Sequence, residues 1–412
     1  MLEEIVVGRD EEDLKKYGKT GTISIGRHLV GTGEDAHLTT PVLLDVLRPH
    51  ILTIMGKRGS GKSWTFGVLM EEMSKLPEDV RNNLCVVVID PQGIFWTIKS
   101  PNEKEADILD AWKMKPRGFD IDVYVPEGQT RTFTQAGVDF DAEFSFSPDE
   151  LTIDDWITLF SLNINEPLGI LLQKSFSALP EGSYTIDDLI FAVNKQEGFE
   201  TEKLALENKF YAAKTWGIFG ESRMPPLLEP GKISILDVSL TSRNVRSLLL
   251  ALISRRIFQE RTRARRKEEL SQIEASEIER VPMCWILIDD AQNFVPENEI
   301  LPSSEIISRI IREGRQPGIS LALATQNPQK LSKEAISQCD MIISHRLTSK
   351  EDIEALKATM QTYMMYDITK YINELPKVKG TAIIMDDNSE RIYKIRIRPR
   401  QSWHAGASPT VI

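Results

Sequence analysis

The sequence predicts an α/β protein organised on a parallel, doubly wound sheet, and two observations carry that prediction. First, continuous apolar runs that read as fully buried strands alternate with helix-length stretches. Second, one such run, Ile51-Leu52-Thr53-Ile54-Met55, feeds Gly56-Lys57-Arg58-Gly59-Ser60-Gly61-Lys62-Ser63, and a helix-like stretch starting at Trp64 leads out. Strand, glycine-rich loop and helix, in that order, turn the pattern G-x-x-x-x-G-K-[ST] into a phosphate site. Backbone N–H groups from Gly56 to Trp64 converge on phosphate oxygens, and the helix N-terminus adds its positive dipole end. Lys62 is the point charge for the β- and γ-phosphates of ATP, and Ser63 offers a hydroxyl to Mg²⁺.

In chain order, residues 1–45 are polar and punctuated by turn signals such as Gly31-Thr32-Gly33, with short extended pieces between them. They read as a β arm too small to hold a core of its own. Residues 46–146 form the first half of the core. There the apolar run 84–89 closes on Asp90-Pro91-Gln92-Gly93, a buried strand with its acid at the carboxyl end, and 121–125 is a shorter strand. Residues 147–225 change to helical spacing, over 151–162, 168–179 and 186–193, with Ser147 and Asp187-Asp188 as N-terminal caps. This is a helical insertion in which Trp156 and Trp216 serve packing. Residues 226–378 return to the core, with strands at 233–237, 285–288, 320–324 and 341–343 and a long helix over about 244–269. Residues 379–412 are a β hairpin around Asp386-Asp387-Asn388-Ser389, followed by a basic tail.

Composition bounds the class. Of 412 residues, 41% are hydrophobic and 27% charged, as in ordinary globular proteins. A net charge of −11 argues against a surface coated for nucleic-acid binding, while leaving room for a locally basic channel. No apolar run is long enough to span a bilayer, and the charged start is no signal peptide. Cys85, Cys284 and Cys339 have no metal spacing and sit in or beside apolar runs, as free thiols of a reducing cytosol do. The expectation is a cytoplasmic protein with no membrane partner.

The second nucleotide signal is Trp285-Ile286-Leu287-Ile288-Asp289-Asp290, a hydrophobic strand ending in two acids. Asp289 is expected to hold Mg²⁺ and Asp290 to orient or deprotonate the attacking water. Asp90 either adds charge near the metal or closes a strand-end turn. Thr325-Gln326, after another strand, either senses the γ-phosphate or caps a helix. Arg309, Arg312 and Arg315, before Pro317-Gly318, either reach a neighbouring subunit's γ-phosphate or form a solvated helix face. The basic run from Arg255 to Lys267 reads better as the solvated end of a long helix than as a nucleic-acid contact.

Taken together, five segments resemble the HerA branch of the FtsK/HerA ATPases. They are Arg48-Pro49-His50 with the phosphate loop, Asp90-Pro91-Gln92-Gly93, Ile288-Asp289-Asp290-Ala291-Gln292-Asn293-Phe294, Ile311-Arg312-Glu313-Gly314-Arg315-Gln316-Pro317-Gly318 and Ala324-Thr325-Gln326-Asn327-Pro328. The tail 396–406 resembles the segment with which that branch braces a neighbouring subunit. The resemblance implies a RecA-like P-loop core in a homohexamer that pumps double-stranded DNA, partnered by a NurA-type nuclease or another effector. It also implies phosphate and Mg²⁺ binding by Lys62 and Ser63, Mg²⁺ support by Asp289, γ-phosphate sensing by Gln326, and Arg312 or Arg315 acting in trans. Two departures stand out. The family usually has Glu where Asp290 stands, one methylene shorter, and its N-terminal β-barrel is here reduced to the arm at 1–45. An ATP-gated ring scaffold with little DNA movement is therefore the alternative, and a monomeric nucleotide switch a third.

Overall fold

The structure, a computed structural model, describes residues 4–31, 35–179, 182–347, 349–358, 368–376 and 378–406. The predicted turn at Gly31-Thr32-Gly33 lies beyond its first residue outside the described residues, as does the tail after Gly406. The strands are β1 (Ile5–Val7), β2 (Thr22–Val30), β3 (His37–Asp45), β4 (Ile51–Met55), β5 (Leu84–Asp90), β6 (Asp122–Pro126) and β7 (Ala142–Phe144). They continue with β8 (Ile233–Asp237), β9 (Met283–Ile288), β10 (Ile319–Thr325), β11 (Met341–His345), β12 (Thr381–Asp386) and β13 (Arg391–Ile397). All join one 13-stranded sheet in the order β1-β3-β2-β13-β12-β11-β4-β10-β9-β5-β8-β6-β7.

From β11 to β7 every pairing is parallel. β5, β8 and β10 are buried along their whole length, which is why they read as unbroken apolar runs. Alternate residues feed two cores. Ile89, Ile286 and Leu323 face the one shared with the helical insertion; Val88, Leu287 and Ala324 face the one under the phosphate-loop helix. The other flank is mainly antiparallel: β12 pairs with β11, β13 with β12, and β2 with β13. The N-terminal strands and the C-terminal hairpin thus extend the ATPase sheet itself, which gives the small arm the core it lacks alone.

Between β7 and β8 lie the helices Ile153–Leu159, Pro167–Ser177, Ile186–Asn194 and Glu200–Lys214. The last was not legible as a separate helix. Ser147, expected to cap the first insertion helix, starts only the short 3-10 turn Pro148–Glu150, and the helix itself is capped by Thr152 in a box with Asp155. At the third helix the cap is instead Thr185, and Asp188 supplies the reciprocal bond three residues later. Trp156, fully buried, packs against Phe160, Phe210 and Phe219, and Trp216 packs against Phe160 and Phe219. The long helix runs Arg243–Glu274. Its basic end is laced to acids, with Arg265 beside Glu268 and Glu269, whereas Arg261 is buried.

Candidate nucleotide site

In the parallel block β10 lies between β4 and β9, with Thr325 opposite Met55 and Leu323 opposite Ile288. The loops leaving the three carboxyl ends therefore meet: the phosphate loop after β4, the two acids after β9 and Gln326 after β10. Ligands of open α/β sheets bind at such a place. β5 and β8 bring Asp90 and Asp237 alongside, in register with each other.

The phosphate loop owes its shape to glycine. Gly59 and Gly61 have φ of 75° and 120°, and a Cβ on Gly56 would stand 2.4 Å from Ser60 Oγ and 2.8 Å from His345 Cβ. The Lys62–Ser74 helix follows. Lys62 is buried, and its Nζ donates to the Lys57 carbonyl at 3.2 Å. Burial pushes its pKa down while Asp289 and Asp290 push it up. Ser63 Oγ donates to Asp289 Oδ2 at 2.7 Å, and Asp289 Oδ1 accepts the Asp290 N–H at 2.9 Å. Burial raises the Asp289 carboxyl to about 6, against the Ser63 hydrogen bond that favours its ionised form. A hydroxyl and a desolvated carboxylate, both hard oxygen donors, fit Mg²⁺, which takes one or two protein oxygens and leaves the rest to phosphate and water.

Asp290 sits in the left-handed backbone region, at φ 49° and ψ 45°, which Asp tolerates better than most side chains. Three carboxamides converge on it. Its Oδ1 accepts from Gln326 Nε2 at 3.2 Å and Gln292 Nε2 at 3.3 Å, and its Oδ2 accepts from Gln92 Nε2. Gln292 is held in turn by the Thr325 hydroxyl, which donates to its Oε1 at 2.7 Å. Asp90 closes a turn: its oxygens accept the N–H groups of Gln92, Gly93, Ile94 and Phe95 at 2.8–3.1 Å. Burial and the neighbouring Asp237 push its pKa up. Arg246, in the first turn of the Arg243–Glu274 helix, is the cation of this acid group. Burial lowers its pKa, and Asp237, Asp90 and Asp290 oppose that.

His345 lies beneath the loop. Its Nδ1 donates to the Thr381 carbonyl at 3.2 Å, and its Nε2 lies 2.9 Å from Thr65 Oγ1, whose single proton also faces the Gly61 carbonyl at 3.0 Å. Burial, with a smaller push from Lys62, lowers its pKa to about 4 and keeps it neutral. Gln92, Gln292, Arg246 and His345 carried no site role in the sequence reading. The available signal was position alone, since each stands at or just beyond the carboxyl end of a parallel strand or in a helical turn close to one.

Other expected site residues lie elsewhere. The Trp64 indole donates to the Arg398 carbonyl at 3.1 Å and packs edge-on to His404, so this side chain belongs to the tail contact. That tail folds onto its own phosphate-loop helix. Arg398 pairs with Glu71 and Glu72 at 2.8 Å each, and Ser402 Oγ donates to Glu71 at 2.6 Å. Glu71 is fully buried and needs these partners; Gly67 leaves room for Arg400, whose Cζ would stand 2.5 Å from a Cβ there. Arg312 and Arg315 are exposed just before β10 begins. Six residue steps of β10 separate that end from Thr325, about 20 Å, so neither arginine is brought to the loop of its own chain.

Residues 23–257, more than half of the chain, match the family model described as Helicase HerA, central domain. The DNA double-strand break repair helicase HerA of Pyrococcus furiosus is 25% identical over 359 residues, 81% of this chain and 62% of that protein. A probable helicase of Methanocaldococcus jannaschii is 24% identical over 404 residues, 93% of this chain and 70% of that one. The chain therefore spans less than two thirds of the Pyrococcus protein. Among solved structures, VirB4 of Thermoanaerobacter pseudethanolicus superposes with a TM-score of 0.58 at 14% identity, covering 96% of this chain and 98% of that one. The bacterial conjugative coupling protein TrwB gives 0.51 at 14% identity, covering 94% and 97%. At that identity the likeness is one of fold, a RecA-like P-loop ATPase core. With the family match spanning more than half of the chain, the chain belongs to the HerA helicase central-domain family of P-loop ATPases.

Proposed function

We propose that the chain hydrolyses ATP within a homohexameric ring and uses the energy to move along or unwind double-stranded DNA, working with a nuclease or other effector in the cytoplasm. The carrying observation is the convergence of Lys62, Ser63, Asp289, Asp290 and Gln326 at the carboxyl ends of β4, β9 and β10. Gly56 to Ser63, with the Trp64 N–H, cradle the phosphates, and Lys62 neutralises the β- and γ-oxygens. Mg²⁺, held by Ser63 and by Asp289 directly or through water, would withdraw charge from the same oxygens. Water adds to the γ-phosphorus, the bond to the ADP oxygen breaks, and the water proton passes to Asp290. Gln326, hydrogen-bonded to the acid, registers hydrolysis of the γ-phosphate, and Arg312 or Arg315 completes the neighbouring subunit's site.

The ring scaffold that holds ATP and turns it over slowly is the second reading. It is favoured by the Asp290 carboxylate, on which three amides already occupy acceptor positions. Steady-state ATPase assays on size-fractionated protein, with and without linear duplex DNA, separate the two. The motor requires DNA-stimulated turnover; slow turnover indifferent to DNA supports the scaffold. Under either, Lys62→Ala lowers kcat by about 10²–10³-fold and weakens ATP binding. Undiminished turnover in that variant removes the phosphate-loop assignment.

A further inference from the structure

The three amides on Asp290 are held in different ways, and the difference singles out Gln92. Each oxygen of an ionised carboxylate has two acceptor positions. On Asp290 Oδ1 both are taken, by Gln326 at 3.2 Å and Gln292 at 3.3 Å. Gln292 is buried and fixed at its far end by Thr325. Gln326 hangs from the strand end beside the phosphate loop and has the γ-phosphate as an alternative partner. Gln92 is exposed, and among the described residues its side chain bonds to Asp290 alone, at Oδ2.

The backbone under Gln92 is fixed. Asp90 takes the N–H groups of Gln92, Gly93, Ile94 and Phe95, and Thr97, just beyond, donates to the Ile94 and Trp403 carbonyls at 2.9 and 3.1 Å. Rotation of the Gln92 side chain into solvent leaves all of these backbone bonds intact.

We infer that Gln92 is a positioning residue that latches Asp290: in the resting site its amide draws on Oδ2, the one carboxylate oxygen with an acceptor position left for the attacking water, and so weakens and misdirects it as a base, and hydrolysis proceeds once the amide turns away. This rests on Asp290 being the water-activating acid. It goes beyond that role by giving the site a gate on the loop after β5, separate from the γ-phosphate contact of Gln326. It also reconciles the two readings above, because a latched motor idles like a scaffold until its latch opens.

Gln92→Glu keeps the side chain's size and removes the donor; Gln92→Ala removes both; Gln92→Asn keeps the donor on a shorter arm. Each is assayed as the full chain, sized, for ATP hydrolysis without DNA. The latch predicts that Glu and Ala raise kcat about tenfold with KM for ATP unchanged, the rate equivalent of one hydrogen bond to a charged group. Duplex DNA then adds less stimulation than in wild type, and Asn stays nearer wild type. Equal or lower kcat in both Glu and Ala variants overturns the latch. The control is the Gln92→Glu, Asp290→Asn double variant. Turnover there overturns Asp290 as the acid and the latch with it, whereas an inactive double variant alongside an unaccelerated Gln92→Glu overturns the latch alone.

Discussion

The two ends of the parallel strands handle buried charge in opposite ways. At the carboxyl ends of β5, β8 and β9 the buried groups are the acids Asp90, Asp237, Asp289 and Asp290. Asp237 Oδ2, Ser60 Oγ and Arg246 Nε there are buried with no hydrogen-bond partner among the described residues. At the amino ends the buried cations sit in ion pairs or against carbonyls. Arg261 gives hydrogen bonds to the Pro317 carbonyl at 2.8 Å and the Val281 carbonyl at 2.6 Å, and pairs with Glu268 at 3.2 Å. His50 lies between Asp45 at 3.0 Å and Asp340 at 2.5 Å. A buried charge without a full set of partners is costly. One end is therefore closed largely by pairs within the fold, while the other, on the function proposed above, is completed by nucleotide and Mg²⁺.

The sharpest way to break this comparison is Arg315. It stands at the closed end yet makes no side-chain hydrogen bond or ion pair among the described residues, unlike Arg309 with Glu313 and Arg312 with Glu334. If it completes a neighbour's site, Arg315→Ala lowers kcat by about 10³-fold or more while ATP binding is nearly kept. Mixing that variant with Lys62→Ala subunits restores part of the activity, since each supplies what the other lacks. Mixtures that never exceed their components would leave Arg315 as a solvated side chain and the far end purely structural.

Arg261 carries the next largest effect. Its guanidinium, 1% exposed, braces Pro317 two residues after Arg315. Arg261→Ala strands two carbonyls and Glu268, and urea unfolding should show a loss of about 3–5 kcal/mol. A loss below about 1 kcal/mol would show that buried cations do not hold this end.

How much of this was legible follows the same divide. The site end was largely written in the chain, because phosphate chemistry demands glycines, a lysine and strand-end acids in one order and spacing; Lys62, Ser63, Asp289, Asp290 and Gln326 were all named from it. What escaped was the support: Gln92 and Gln292 around Asp290, and His345 under the loop. Their partners lie up to 280 residues away, and a lone glutamine or histidine announces no partner. The closed end was hardly legible. Arg261 looked like one of a run of helix-end cations, and only the packing of Pro317 and Val281 against it shows otherwise. Likewise β2 and β3 read as an arm with no stated partner, since pairing with β13 near the far terminus leaves no local mark. Trp64 was assigned by adjacency to the loop, while the indole direction was set by the tail.

The smallest effect expected is also the cleanest in sign, and it concerns His50. Hydrogen bonds and charge from Asp340 and Asp45 outweigh burial and raise its pKa to about 9. Arg9 and Arg48 also face Asp45. A folded-state pKa above the unfolded 6.5 means that the native state holds the proton more tightly. The stabilisation is thus complete below about 6.5 and is lost as pH rises through about 9. The groups of the other end act lower down. Asp289, raised to about 6, weakens the fold as pH climbs from about 4 to 6, and His345, lowered to about 4, strengthens it from about 4 to 6.5. Above pH 7 neither contributes further change. Urea unfolding at successive pH values should therefore show wild type losing on the order of 2–3 kcal/mol between pH 6.5 and 9.5 that His50→Gln does not lose. Nucleotide with Mg²⁺ should leave this upper difference intact while altering the lower window, because its ligands lie at the other end of the strands. Parallel curves for wild type and His50→Gln above pH 7 would mean that the imidazole is not held charged between its two carboxylates.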